Sequence, residues 1–139
     1  MNLTANGVTV PITATSIAYT NTNYLPLGSS SSTEYAVVQG TPTIPTTAVI
    51  NDTGTAYTAN RYTSSAKTTL LGTDVVTYAL VADTATTGLL KVTHTYKNTG
   101  GAMTMQDTLT LRITPTGSLT YVNETVLDLA NNQNLTITY

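Results

Sequence analysis

Between Asp74 and Ile113 the chain alternates apolar and hydroxyl-bearing residues with a period of two, three times in succession. The segments are D74-VVTYALVA, L89-LKVTHTYK and M103-TMQDTLTLRI. That period belongs to an extended strand, whose successive side chains leave opposite faces. Counting along each segment puts Val76, Tyr78, Leu80, Leu90, Val92, Tyr96, Met105, Leu109, Leu111 and Ile113 on one face. The other face receives Thr77, Ala79, Lys91, Thr93, Thr95, Thr104, Gln106, Thr108, Thr110 and Arg112. The connections D83-TATTG and N98-TGGA suit antiparallel hairpin loops. These three strands therefore make a sheet with one oily side that something must cover.

The next segment, L119-TYVNETVLDLA, predicts a helix over 118–131. Ser118 can cap it after Pro115 and Gly117, and Leu119, Val122, Val126 and Leu129 recur at steps of three and four, with Glu124 and Asp128 pointing away. Thr120, Val122, Thr125 and Val126 are β-branched, so such a helix depends on packing rather than on propensity. One short helix does not cover a sheet. The expectation is an assembling protein.

Outside this region the signals are shorter. Leu3-x-Ala5 and Val8-x-Val10 flank Asn6-Gly7, which predicts an N-terminal hairpin within residues 1–20, with a further strand at S16-IAYT. Residues 21–56 hold Gly28, a serine run at 29–32 and Pro26, Pro42 and Pro45, and read as long loops with short strands at Tyr35–Val38 and Ala48–Ile50. Another strand fits Tyr57–Thr63, giving a sheet over 57–114, and the tail at 132–139 ends in the extended pattern L135-TITY. With 139 residues this is one domain, of class α+β.

Composition narrows the function. Threonine is roughly a quarter of the chain and charged residues are 9%, against about 25% in ordinary domains. There are no cysteines, so disulfides and thiolate metal sites are excluded. MNLTANGVTVPI lacks the basic and apolar regions of a secretory signal, which fits synthesis in the cytoplasm, and no apolar run has membrane-spanning length. Catalysis finds little support. The one histidine, His94, falls on the apolar face, where a hydrogen-bonded or interface role is expected. Glu34, Asp52, Asp74, Asp83, Asp107, Glu124 and Asp128 are scattered without an acid–base spacing, and no phosphate loop, metal cluster or nucleophile elbow occurs. The reading is a protein that is not an enzyme, with no metal and no cofactor. Four Asn-x-Thr sequons, at Asn2, Asn51, Asn123 and Asn134, are what a threonine-rich chain produces by chance.

The order of elements over residues 74–130 resembles the coat proteins of single-stranded RNA bacteriophages, the levivirus family. D74-VVTYALVADTATTGLLKVTHTYKN is similar to that family's central hairpin, and M103-TMQDTLTLRITPTGSLTYVNETVLDLA to its final strand running into a helix. The resemblance implies an antiparallel five-stranded sheet and an intertwined homodimer, with a dimer core of Leu119, Val122, Val126 and Leu129 laid on Val76, Tyr78, Val92, Leu109 and Leu111 of the partner. It further implies a multi-copy icosahedral shell (a virion capsid made in the bacterial cytoplasm) and packaged single-stranded RNA. It also implies RNA contacts from Thr77, Lys91, Thr93 and Gln106, and face counting adds Arg112. Thr104 stands where the family places a base-stacking tyrosine. Two other readings suit the composition. One is an extracellular β-sandwich pilin, adhesin or fibre subunit with L135-TITY as a donated strand. The other is a polysaccharide-binding domain using Tyr19, Tyr24 and Tyr35.

Overall fold

The computed structural model describes residues 15–139 and, before them, the backbone of two short strands, β1 (Asn2–Ala5) and β2 (Val8–Pro11). These pair antiparallel from Asn2↔Pro11 to Ala5↔Val8, as the N-terminal hairpin requires, while the Asn6-Gly7 turn itself lies outside the described residues. Nine further strands follow: β3 (Ile17–Thr20), β4 (Pro26–Ser30), β5 (Tyr35–Gln39), β6 (Thr53–Tyr62), β7 (Leu70–Ala82), β8 (Gly88–Asn98), β9 (Met103–Ile113), β10 (Leu119–Asp128) and β11 (Gln133–Thr138). They form one antiparallel sheet in strict sequence order, from β11 at one edge to β3 at the other. Eight strand-to-strand steps make it roughly 38 Å wide.

The fold is all-β, and this corrects the α+β expectation. Among the described residues there is no helix, and the sheet has nine strands rather than five. The segment read as a helix is β10, paired to β9 from Leu119↔Ile113 to Asp128↔Met105. Its register slips between Tyr121 and Asn123, leaving Val122 as an extra residue. A one-residue bulge shifts the period of two by one place. The apolar positions of β10 then fall at Leu119, Tyr121, Glu124 and Val126, and the shift produces the three-residue step that imitates a helix. Leu119 and Val126 do lie on the apolar face, but as strand residues, while Val122 sits in the bulge and Leu129 in the turn before β11, 46% exposed. The helix-on-sheet dimer core is therefore withdrawn. With it go the crossing arms on which the intertwined dimer depended.

Other expectations are met. β3 and β5 occupy the places read for them, β6 includes Tyr57–Tyr62 but starts at Thr53, inside the segment read as loops, and the tail is the edge strand β11. Ala48–Ile50 is not a strand: residues 40–52 form a strap across the sheet, anchored by Thr43 N to Ala56 O (2.7 Å) and Asn51 N to Leu80 O (2.7 Å). The Ala56 carbonyl is free to accept because a bulge in β6 removes it from the ladder.

The register bears out the face count of the three long strands except at Thr104, which a register slip between Met103 and Met105 leaves without a partner on β8. Cross-strand partners share a face, and Tyr78↔Val92↔Leu109 and Leu80↔Leu90↔Leu111 run through β7, β8 and β9 on one side. Among the described residues only Ala36, Ala59, Val76 and Leu80 are buried apolar residues. The accessible surface is 9037 Å², where a compact monomer of this mass exposes about 6,900 Å². Among the described residues only the strap packs on the apolar side of this single-layer sheet, and the rest of that side is uncovered.

Candidate functional site: the two faces of the sheet

Charge divides between the faces. On the threonine face the strands contribute Lys91, Lys97 and Arg112 and no carboxylate, as the pairings Ala79↔Lys91, Thr73↔Lys97 and Leu89↔Arg112 place them. Asp74, Asp107, Glu124 and Asp128 all fall on the apolar side. The net charge of −2 thus conceals a basic side and an acidic side.

Each residue expected to face RNA is on the threonine face. Thr77, Thr93 and Thr108 form one cross-strand row, with Thr93 and Thr108 hydroxyls 3.0 Å apart. Gln106 Nε2 donates to Thr95 Oγ1 at 3.3 Å. Lys91 is exposed. Arg112 is less available than its position suggests, since its Nε donates to Asp83 Oδ2 at 2.7 Å and the two charges offset each other. Lys97, which sequence reading passed over, stands with Lys91 as a strand cation of this face outside the ion pairs.

The apolar face carries a polar row near one end. Arg61 makes a bidentate pair with Glu34 (Nε–Oε1 2.8 Å, Nη2–Oε2 2.5 Å) and its guanidinium lies 4.7 Å from the Tyr96 ring centre. His94 Nδ1 is 2.7 Å from Asp74 Oδ2, with Tyr96 stacked beside the imidazole. Asp107 is the cross-strand partner of His94, and Glu124 stands on the next strand. Within the subunit Asp74 Oδ1 and Asp107 Oδ1 make no hydrogen bond although both are buried. Burial and the neighbouring Glu124 push the Asp107 carboxyl above its ordinary range. Burial alone would lower the His94 pKa, but the hydrogen bond to Asp74 and the Asp74 and Asp107 charges outweigh it, so the net shift is upward. His94 thus matches the expected hydrogen-bonded histidine of the apolar face. Beside this row the strap encloses an apolar cavity of about 300 Å³ between Ile44, Pro45, Tyr78, Val92 and Ile113.

A raised histidine pKa stabilises the fold fully below its ordinary value of 6.5, and that contribution is lost as pH rises through the folded value. Asp107 acts with the same sign, from the carboxylate range upward. The thermal midpoint should therefore fall as pH rises above about 6.5. In His94→Gln the part of that slope above neutrality should vanish. A scan of unfolding temperature against pH on both proteins checks it, and an unchanged slope would assign the dependence to other groups.

Comparison with family models, with curated proteins and with solved structures gave no match.

Proposed function

We propose that this protein is a structural coat subunit. Its copies bury their apolar faces against one another, assemble into a closed shell, and turn their threonine faces toward packaged single-stranded RNA. The observation that carries the reading is the uncovered sheet. The surface in excess of a compact monomer is about 2,000 Å², comparable to what a subunit gives up in an obligate oligomer. Two such sheets can stack with their apolar faces about 10 Å apart. Charge segregation supports the RNA side: Lys91 and Lys97 are weak singly, but many copies facing one interior sum as a polyvalent surface. Thr77, Thr93 and Gln106 add hydrogen-bonding groups for sugar and phosphate.

A second reading, a fibre built by strand addition, has its own observation. The edge strand β11 reads QNLTIT and contains no charge and no proline, the devices that usually block edge pairing.

Expression of the full chain in bacteria, with electron microscopy and nucleic-acid extraction from purified material, separates these readings. Closed particles containing RNA are expected. Linear fibres would favour strand addition, and stable monomers would sink both. In Lys91→Ala/Lys97→Ala, RNA per subunit should fall by about half or more while particles persist. Unchanged RNA content would mean the threonine face is merely solvated.

A further inference from the structure

At the β3 edge of the threonine face three tyrosines lie side by side. Tyr35 and Tyr62 are direct cross-strand partners on β5 and β6, so their rings share a face. Tyr19, on β3, is opposite Gly28, and the absence of a side chain at Gly28 lets the Tyr19 ring reach diagonally to Tyr35, centroid to centroid 6.4 Å at 55°. Glycine is required there, because at φ +154 an added Cβ would run into the Ala36 carbonyl oxygen. The Tyr19 hydroxyl is fixed to Ser30 Oγ at 2.8 Å, which holds the outermost ring in place. The Lys67 ammonium sits 6.0 Å from the Tyr35 ring centre. Tyr19 is 40% exposed and Lys67 is exposed.

Rings spaced across strands on a face that carries Lys67, Lys91 and Lys97 but no strand carboxylate match one ligand chemistry, a flexible polyanion with flat bases. We propose that Tyr19, Tyr35 and Tyr62 are a stacking platform for unpaired bases of single-stranded RNA, with Lys67 at its border for the phosphate backbone. The inference rests on the RNA-packaging reading and gives it a site three to six strands across the sheet from Thr104 on β9. An oligosaccharide also stacks on such rings, but it is uncharged and gains nothing from the lysines. Sequence reading grouped Tyr19 and Tyr35 with Tyr24 and left out Tyr62, because the members of the row are 16 and 27 residues apart and only the register aligns them.

The test is fluorescence anisotropy of the purified full chain with a 5′-labelled oligouridylate, titrated at several salt concentrations. Tyr35→Leu should weaken binding by at least about tenfold with the salt slope unchanged, because stacking releases no counterions. Tyr35→Phe should restore it to within about twofold. Lys67→Ala should instead flatten the salt slope by about one unit. Should Tyr35→Leu not fold, Tyr19→Leu at the exposed sheet edge carries the same expectation. RNA binding by the unmodified chain that Tyr35→Leu leaves intact would overturn the platform while the packaging reading stands. Absence of any RNA binding by the unmodified chain would overturn both. Tyrosine-dependent binding of a neutral cello-oligosaccharide in place of RNA would also overturn the platform, in favour of a sugar site.

Discussion

Gly72→Ala should cost about 3–5 kcal/mol of stability and lower the thermal midpoint by roughly 10–20 °C. Gly72 lies within β7, buried, paired with Arg61 on one side and Asn98 on the other. Its φ is +143°, and a Cβ there would run into the Lys97 carbonyl oxygen, with the Lys97 and Asn98 carbonyl carbons 2.9 Å away. All three are backbone atoms of a central ladder, so neither side can yield without breaking β7–β8 pairing. The bare position also leaves room for Arg61 to reach the Tyr96 ring across it, a contact that ties β6 to β8. Gly101→Ala is the control. Its φ is +84° with no atom within 4 Å of the added methyl, so only conformational strain of about 1 kcal/mol is expected. Thermal melts of the two variants decide the matter. Equal losses would mean that the β7–β8 ladder does not close at Gly72 in the way described.

The difference between the legible and illegible parts of this fold lies in what a residue's sequence neighbours can report. The faces of β7, β8 and β9 follow from alternation because their period holds from Asp74 to Ala82, from Leu89 to Tyr96 and from Met105 to Ile113, with one register slip at Thr104 beside a hairpin turn, and Thr77, Lys91, Thr93 and Gln106 are where counting puts them. β10 was misread because a single inserted residue, Val122, changes a spacing of two into a spacing of three, and a bulge leaves no other mark in the chain. The strand β4 hid behind Pro26, which is tolerated because it opens the strand. The polar row of Asp74, His94, Asp107 and Glu124 gathers residues from four strands with separations of 13 to 20 positions, so it appears only once the register is known. Charge segregation was legible in principle. Counting through Lys97 and the carboxylates, as was done for the threonines, would have shown it.

Leu109→Asp should hold the chain as a monomer at concentrations where the unmodified protein is fully assembled. Leu109 is on β9 in the middle of the apolar face, half-buried, with Val92 and Glu124 as its cross-strand partners. In the single subunit an aspartate there still reaches water, so folding should lose only about 1–2 kcal/mol. Between two stacked sheets the same carboxylate would be enclosed beside Glu124 and Asp107. Burying an unpaired charge costs several kcal/mol, and a two-fold interface imposes the cost twice. Subunit affinity should drop by at least about a thousandfold, since each 1.4 kcal/mol is a factor of ten. Sedimentation velocity then reads monomer, and electron microscopy finds no particles. Thr93→Asp provides the opposite arm. It adds the same charge to the threonine face, where it should leave subunit pairing intact and expel RNA. Particles of ordinary size from Leu109→Asp would mean that the apolar face is not between subunits. Because the edge strand β11 offers a route to assembly that leaves this face open, that result would move the interface to the sheet edge rather than abolish it.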